Sequence, residues 1–493
     1  MTNSIKRTAF TALASYLQMG SFMITGLLSL KAATIWLSTE TLGLWNFLFA
    51  TVSYFALLEF GFGQGVARLL GEPLAAGDNE KASQLVTTGL VILAFQGILV
   101  LVIGLPLGNF ILNWAGVPPH LKQQAVVLWW VIVLVRGLSL PLVILHAIIW
   151  VQNRVYIVYG IGILGSWIGL AAFYYGLICG ANLLAYTWSL ALPALVTAGL
   201  LGSAILRNSQ GIQIRRSHFR WSVAGEIFGF SSAVFVTTII PQLSSVSQSF
   251  IATRVCGLEA TALLAVNTRV GQLLSTIAMR AFDAFIPRWA ATYCESGMDS
   301  LRDEYVRVCR LVFLGMAGTT VAVLLCNRPF IEWWTRADLF GGPLLTVVAA
   351  LTVLFQGILR LLTYPFMLTR NMRRFAWVLA CGLVIELVLQ VLLASYYGLA
   401  GLVVAVPIAG FLLVFWFAAL SFSRIIGAHW WHVFASDALW CLPSLVIATV
   451  AGAYWIPAAK PLTQLALLTL LGAVLVIPIG WRTFQLGRTL TTR

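Results

Sequence analysis

Fourteen apolar stretches decide what this 493-residue chain can fold into. They fall near 10–37, 43–68, 83–107, 124–150, 155–178, 183–206, 223–250, 259–288, 308–327, 343–369, 375–397, 399–422, 434–456 and 462–483. A helix needs roughly 20 apolar residues to cross a hydrocarbon core about 30 Å thick, and each stretch reaches that length. Charged residues make up only 9% of the chain, against about a quarter in soluble domains, which excludes a soluble globular protein. The expected class is an all-α polytopic membrane protein with about 14 transmembrane helices. No connection exceeds roughly 25 residues, so none has room for a soluble catalytic domain.

The formal charge of +14 does not point to nucleic acid, because a solvated basic face needs polar surroundings that this chain lacks. The basic residues follow topology instead. With the N-terminus inside, 20 of the 30 lysines and arginines fall in inside segments. Only Lys122, Arg254, Arg328, Arg336 and Lys460 fall outside. That bias predicts a multi-pass protein with both termini cytoplasmic. Lys6 and Arg7 precede an apolar run far longer than a signal-peptide core, which makes an uncleaved first span. The seven cysteines include no CxxC pair, so neither a disulfide framework nor a zinc site is indicated.

Two arginines inside apolar stretches carry the functional signal. Arg136-Gly-Leu-Ser-Leu-Pro141 and Arg360-Leu-Leu-Thr-Tyr-Pro365 share the pattern Arg-x-Leu-Ser/Thr-x-Pro, 224 residues apart. Arginine in a bilayer costs at least a few kcal/mol unless a partner or wet cavity receives it. Matching arginines in two halves therefore suggest a duplicated transporter. The first stretch repeats polar residues at Thr11, Ser15, Gln18, Ser21, Thr25 and Ser29, a helical period that makes one face polar. The seventh does the same with Thr238, Gln242, Ser245 and Ser249, and Arg68 and Arg288 close the second and eighth stretches. Six spans per half keep both halves in one orientation, with a passage expected between parallel repeats. The expected organisation is a first lobe at 1–206, a basic cytoplasmic linker at 207–222, a second lobe at 223–423, and an extra helix pair with a tail at 424–493.

Candidate substrate-binding residues follow from the cost of burial. Arg269, Gln272, Thr276, Arg280 and Asp283 share one helix face, which hydrocarbon would not tolerate. Arg280 and Asp283 have a second reading, mutual neutralisation. Arg136 lies too deep to snorkel easily, whereas Arg360 and Lys31 stand nearer to helix ends, where snorkelling competes with a binding role. Gln18 and Gln242 lie in the polar stripes. Glu59, Glu386 and Glu226 are either salt-bridge partners of the arginines or coupling sites for a proton or cation. Pro141, Pro193, Pro241, Pro365 and Pro407 bend their helices. Gly61-Phe-Gly63-Gln-Gly65 lacks the rest of a phosphate loop and reads as close helix packing. His429-Trp-Trp-His432 reads as an interfacial aromatic belt, with no third metal ligand evident. No cofactor or metal is expected. Hydroxyls, amides and guanidinium groups together suit a large anionic, sugar-like solute.

Leu42-Gly-Leu-Trp45, Leu57-Leu-Glu-Phe-Gly-Phe-Gly63, Ala67-Arg68 and Gly77-Asp78 resemble the polysaccharide-flippase branch of the multidrug/oligosaccharidyl-lipid/polysaccharide exporter superfamily. Arg269 with Phe285-Ile-Pro-Arg-Trp289 resembles the matching stretch of the second half. The resemblance implies two six-helix lobes lined by basic residues. It also implies a non-enzymatic flippase for a polyprenyl-diphosphate-linked oligosaccharide, moving it to the outer leaflet of a bacterial inner membrane by alternating access. The type nearest to it serves O-antigen or exopolysaccharide repeat units (Wzx type), in which twelve spans are common, whereas lipid II flippases and some other polysaccharide exporters also have the additional pair. Membrane lipid and a polysaccharide polymerase are the further candidate partners; nucleic acid is not. Two alternatives stay open. One is a cation-coupled multidrug exporter using Glu59 and Glu386. The other is a membrane-embedded glycosyltransferase or polymerase, for which Glu332 and Asp338 in the outer loop are the available acids.

Overall fold

The computed structural model describes residues 2–59, 61–152, 154–206, 211–368, 372–454 and 461–491. Arg207, Arg370, Lys460 and Arg493 lie outside the described residues, as do the side chains of Lys6, Arg7, Thr238, Pro241, Arg373, Arg482 and Arg488. The described chain is helical throughout, without strands. Its helices are α1 (Thr2–Trp36), α2 (Thr39–Ser53), α3 (Phe62–Ala76), α4 (Asn79–Trp114), α5 (Pro119–Ser139), α6 (Leu142–Val151), α7 (Val155–Ile178) and α8 (Ala185–Leu206). They continue with α9 (Trp221–Ile251), α10 (Leu258–Asp283), α11 (Ile286–Trp334), α12 (Pro343–Leu368), α13 (Met372–Ala409), α14 (Trp416–Ile426), α15 (Trp430–Tyr454) and α16 (Pro461–Thr491).

Over the described residues, each of the fourteen apolar stretches coincides with helix. Among the described residues, nine helical runs are long and apolar enough to cross a membrane, and one of them, 374–426, holds two of the expected spans. Large apolar side chains such as Phe95 (66%), Phe110 (67%) and Leu195 (70%) stand outward-facing and exposed. Water would not tolerate that display over so many helices, so the medium is lipid. The protein is an all-α polytopic membrane protein.

Several spans are broken where glycine or proline dictates it. The second stretch is α2, a 3-10 turn at Tyr54–Glu59 and then α3, with Gly61 at φ 70° between them. A side chain at that angle would strain the backbone, whereas glycine adopts it freely. The fourth stretch divides into α5 and α6 before Pro141, whose missing N–H leaves the Gly137 carbonyl without its helical donor. Gly97 of α4 lies directly against that carbonyl, so that a Cβ at position 97 would collide with it. Here α4 and α5 approach backbone to backbone, the use of small residues typical of membrane helices. The other glycines of the second stretch act likewise, Gly63 against Val143 and Gly65 against Ser231.

The segment 289–307, read from sequence as a connection, is instead helical. It is joined to the apolar part of α11 across a non-helical Gly297, and Arg288 and Glu304 pair at 3.2 Å over the bend.

The chain separates into two compact units, Met1–Val246 and Ser247–Arg493. The division falls inside α9, beyond the 207–222 segment. In the first unit, a core of Phe62, Val66, Leu70, Leu85, Ile144 and Ile227 joins α3, α4, α6 and the start of α9. Gln213 and Arg220 pin the preceding loop to α4 through backbone N–H bonds to the hydroxyls of Ser83 and Thr88, at 2.9 and 3.2 Å. In the second unit, Phe282, Trp289, Tyr305, Tyr364 and Phe422 form an aromatic core among α10, α11, α12 and α14.

The additional helix pair α15–α16 is part of the second unit. Ser444 donates to the Leu475 carbonyl at 2.7 Å, joining the two helices to each other. Arg310 of α11 grips the fully buried Asp437 of α15 with two bonds of 2.5 and 2.9 Å. Removing one partner of such a buried pair strands the other charge. Asp437→Ala is therefore expected to cost about 3 kcal/mol, seen as a lowered melting midpoint of the detergent-purified protein, with Asp437→Glu restoring part of the loss.

Candidate functional site

The first arginine turn lies at the end of α5. Arg136 directs Nη2 to the Glu59 carboxylate at 3.8 Å, with both side chains about one-third exposed. That separation is an ion-pair contact, too long for a hydrogen bond. The Nε of Arg136 is buried without a hydrogen-bond partner, so the guanidinium keeps unused donor capacity. Glu59 is the last residue of the 3-10 turn that precedes the Gly61 break. Gly63 lies beside its carboxylate, with an added Cβ standing 3.4 Å from Glu59 Oε1, an ordinary contact.

The second arginine turn lies in α12. Arg360 donates from Nη2 to Oδ1 of Asp283 at 2.5 Å. Asp283 is the final residue of α10, again at a helix break. Arg360 follows Arg136 by 224 residues, and Asp283 follows Glu59 by the same 224. The ion pair, and not only the arginine, is therefore duplicated.

The rest of the hexapeptide explains itself in these turns. Ser139 donates to the Arg136 carbonyl at 2.9 Å, and Thr363 donates to the Arg360 carbonyl at 3.2 Å. Each hydroxyl thus holds the turn that carries its arginine. The proline at the sixth position orphans a carbonyl four residues back. In α12 that carbonyl belongs to Leu361, and the buried Tyr305 hydroxyl satisfies it at 2.7 Å. In α5 the corresponding carbonyl meets Gly97.

On α10 the sequence-predicted stripe is present. Val266, Asn267, Gly271, Met279 and Phe282 are buried, with Gly271 and Met279 packed toward α11 and α12. The other face exposes Gln272, Thr276 and Arg280, with Arg269 half-buried beside them. Among the described residues no acid pairs with Arg269 or Arg280. The alternative reading, neutralisation of Arg280 by Asp283, does not form, because Asp283 is held by Arg360. An arginine preceding an acid on one helix is also the weaker order for such a pair.

The polar stripe of α1 serves packing over much of its length. Thr25 and Ser29 donate to carbonyls one turn back at 2.8 and 2.7 Å, and Ser21 bonds Ser166 of α7 at 3.0 Å. Gln18 lies against Gly162 of α7, where a Cβ would strike its amide. By contrast, Gln242 and Ser245 on α9 are exposed. Lys31 is half-buried near the end of α1. Glu386 of α13 accepts from Gln390 at 2.8 Å. Glu332, expected in a loop, lies inside α11 and pairs with Arg328 at 2.9 Å, while Asp338 pairs with Arg336 at 3.4 Å. His429 and His432 are exposed and stand in an aromatic group, with His429 stacked on Trp431 at 4.9 Å.

Sequence reasoning missed the Glu59–Arg136 and Asp283–Arg360 pairings as specific contacts, together with Tyr305 and Asp437. For the two acids a signal did exist, since the shift that relates the arginines relates them too.

No family model matches the sequence, and no curated protein matches it either. Its fold has close counterparts among solved structures. One is an inward-facing multidrug-resistance MATE family transporter of the MOP superfamily, at TM-score 0.70 and 13% identity, covering 82% of this chain and 95% of that one. Another is the lipid II flippase MurJ in an inward closed conformation, at TM-score 0.70 and 13% identity, covering 96% of this chain and 98% of that one. A third is a MOP superfamily transporter from Pyrococcus furiosus whose binding pocket is described as having reverse polarity, at TM-score 0.62 and 14% identity, covering 85% of this chain and 96% of that one. The chain is thus a polytopic helical protein of the same fold as these. In particular, it has the fold shared by MATE exporters and the lipid II flippase.

Tyr305 gives the arginine turn of α12 a direct check. Tyr305→Phe keeps the ring packing but leaves the buried Leu361 carbonyl unsatisfied, at an expected cost of about 1–3 kcal/mol. Thermal melting of the detergent-purified variant against the parent measures it.

Proposed function

We propose that this protein is a flippase for an anionic lipid-linked headgroup, a polyprenyl-diphosphate-linked oligosaccharide repeat unit, working by alternating access without covalent chemistry. The observation that carries the reading is Arg269, a half-buried guanidinium without an acidic partner among the described residues. It shares its helix face with the exposed Gln272, Thr276 and Arg280. Lipid would not accept that face, and a cation of this kind is stabilised by an anion. Guanidinium groups take phosphate oxygens in pairs, while neighbouring amides and hydroxyls exchange hydrogen bonds with a glycan without fixing one sugar.

In this reading Arg136, Arg269 and Arg360 contact the headgroup, with Arg280, Lys31, Gln242 and Gln272 in supporting roles. Gln18 takes a secondary place because of its packing against Gly162. The lobes are 1–206 and 223–423, joined by 207–222 and followed by 424–493. Both termini lie in the cytoplasm of a bacterium, and the glycan is of the O-antigen or exopolysaccharide kind. The likeness to a lipid II flippase supports a lipid-linked cargo.

The likeness to multidrug transporters supports a second reading, a cation-coupled multidrug exporter in which Glu59 and Glu386 serve coupling. Sodium- or proton-dependent drug efflux with normal surface glycan in a deletion strain would favour it over the first.

For the flippase reading, Arg269→Gln removes a charge-assisted contact of about 1.5–3 kcal/mol, equivalent to roughly tenfold or more in headgroup affinity. The expected result is a several-fold loss of surface glycan at unchanged protein level, with lipid-linked units accumulating on the cytoplasmic leaflet. Normal glycan in that variant and in Arg136→Gln would remove these residues from the headgroup path.

A further inference from the structure

The two ion pairs share more than residue type. In each unit the arginine sits five positions before a proline, on a turn held by a Ser or Thr hydroxyl. In each unit the carboxylate sits at the end of a helical segment, Glu59 before Gly61 and Asp283 before the turn into α11. Each acid precedes its arginine by 77 residues. The two hydroxyls bond the carbonyls of the arginines' own turns, while each acid stands where its helical segment ends, at a joint where a small backbone rotation withdraws it. A pair built only to neutralise a buried charge has no need of an acid at such a joint, and in Arg310–Asp437 the acid lies well inside α15.

Neither pair saturates its arginine. The first is loose at 3.8 Å and leaves the buried Arg136 Nε unbonded. In the second, Arg360 makes one hydrogen bond among the described residues and its side chain is half exposed. A guanidinium has five N–H donors, and a phosphoryl group offers oxygens that match two of them in parallel. A single carboxylate contact is therefore a competitor that a phosphoryl group outbids in geometry as well as charge.

We propose that Glu59 and Asp283 are resident counter-ions of an anion-exchange device built once in each unit. Each carboxylate occupies its arginine when the transporter is empty and yields it to a phosphoryl oxygen of the incoming diphosphate. On release the carboxylate returns and displaces the product. The arginine is then never left bare in the membrane, and binding stays weak enough for turnover. This rests on the anionic-headgroup reading above and adds to it a role for the two acids, which are neither coupling sites nor fixed braces.

The test is equilibrium binding of farnesyl diphosphate to the detergent-purified full chain, with farnesol and inorganic pyrophosphate as comparison probes. If the carboxylate leaves its arginine about one-tenth of the time, neutralising it removes that tax and tightens binding about tenfold. Glu59→Gln and Asp283→Asn are therefore each expected to bind farnesyl diphosphate about tenfold more tightly, with farnesol binding unchanged. Glu59→Asp keeps the charge but withdraws it by one methylene, and should give a smaller gain; it serves where the amide variant does not fold. A gain confined to farnesyl diphosphate supports exchange against a lipid-linked diphosphate, and an equal gain with pyrophosphate supports exchange against a free one. Wild-type binding with no gain, or a loss, in Glu59→Gln and Asp283→Asn overturns the exchange and leaves the anionic reading standing. No diphosphate binding by the parent or any variant removes the anionic reading, and the exchange with it.

Discussion

A charged side chain in a hydrocarbon medium must be compensated, and the manner of compensation organises this molecule. Where the aim is cohesion, the compensation is complete: Asp437 is fully buried and held twice by Arg310. Where the arginine lies in a repeated turn, it is partial, at 3.8 Å for Arg136 and through one bond for Arg360. For Arg269 no acid is supplied among the described residues. Burying an ion pair gains little stability by itself, since desolvation offsets the attraction. A graded series from fully to partly to uncompensated is therefore hard to explain as stabilisation, and it is what the proposed anionic headgroup would call for.

The same turns show how a membrane helix tolerates proline. Losing an N–H leaves a carbonyl that lipid cannot satisfy. The two units place that carbonyl in different surroundings within one hexapeptide pattern. In one, Gly97 allows a neighbouring backbone to close on the Gly137 carbonyl; in the other, Tyr305 reaches the Leu361 carbonyl with its hydroxyl. The arginine and its hydroxyl brace are kept in both while the surroundings diverge. That pattern is expected if the turn is constrained by what it binds and the packing around it is free to vary.

Much of the fold was legible because membrane helices are specified by length and apolarity, both visible in a single sequence. Over the described residues all fourteen stretches coincide with helix for that reason. The breaks were less legible. Gly61, Gly297 and Gly398 adopt positive φ, whereas Gly97 and Gly162 serve close packing, and the letter is the same in both uses. Periodicity showed that Gln18, Ser21 and Thr25 share a face of α1, yet it could not say what that face meets, and much of it meets α7. The helical run at 289–307 was hidden because its charges suggest a connection, although they suit a solvated helix equally well.

The candidate site was legible in its cations and obscure in its anions, for a physical reason. An arginine in an apolar stretch stands out by its own cost, wherever its partner lies. A carboxylate at a helix end does not, because such positions are also where acids are merely exposed. Identifying Glu59 and Asp283 as partners required contacts spanning 77 residues, which no local pattern encodes. The repeat supplies what local pattern lacks. Once one shift relates Arg136 to Arg360, applying it to Glu59 lands on Asp283, and the two halves become independent witnesses to one arrangement. Chance could place one acid near one buried arginine. Placing both at the same separation, each at a helix break and each opposite a hydroxyl-braced arginine, is better explained by an ancestral half that already carried the pair.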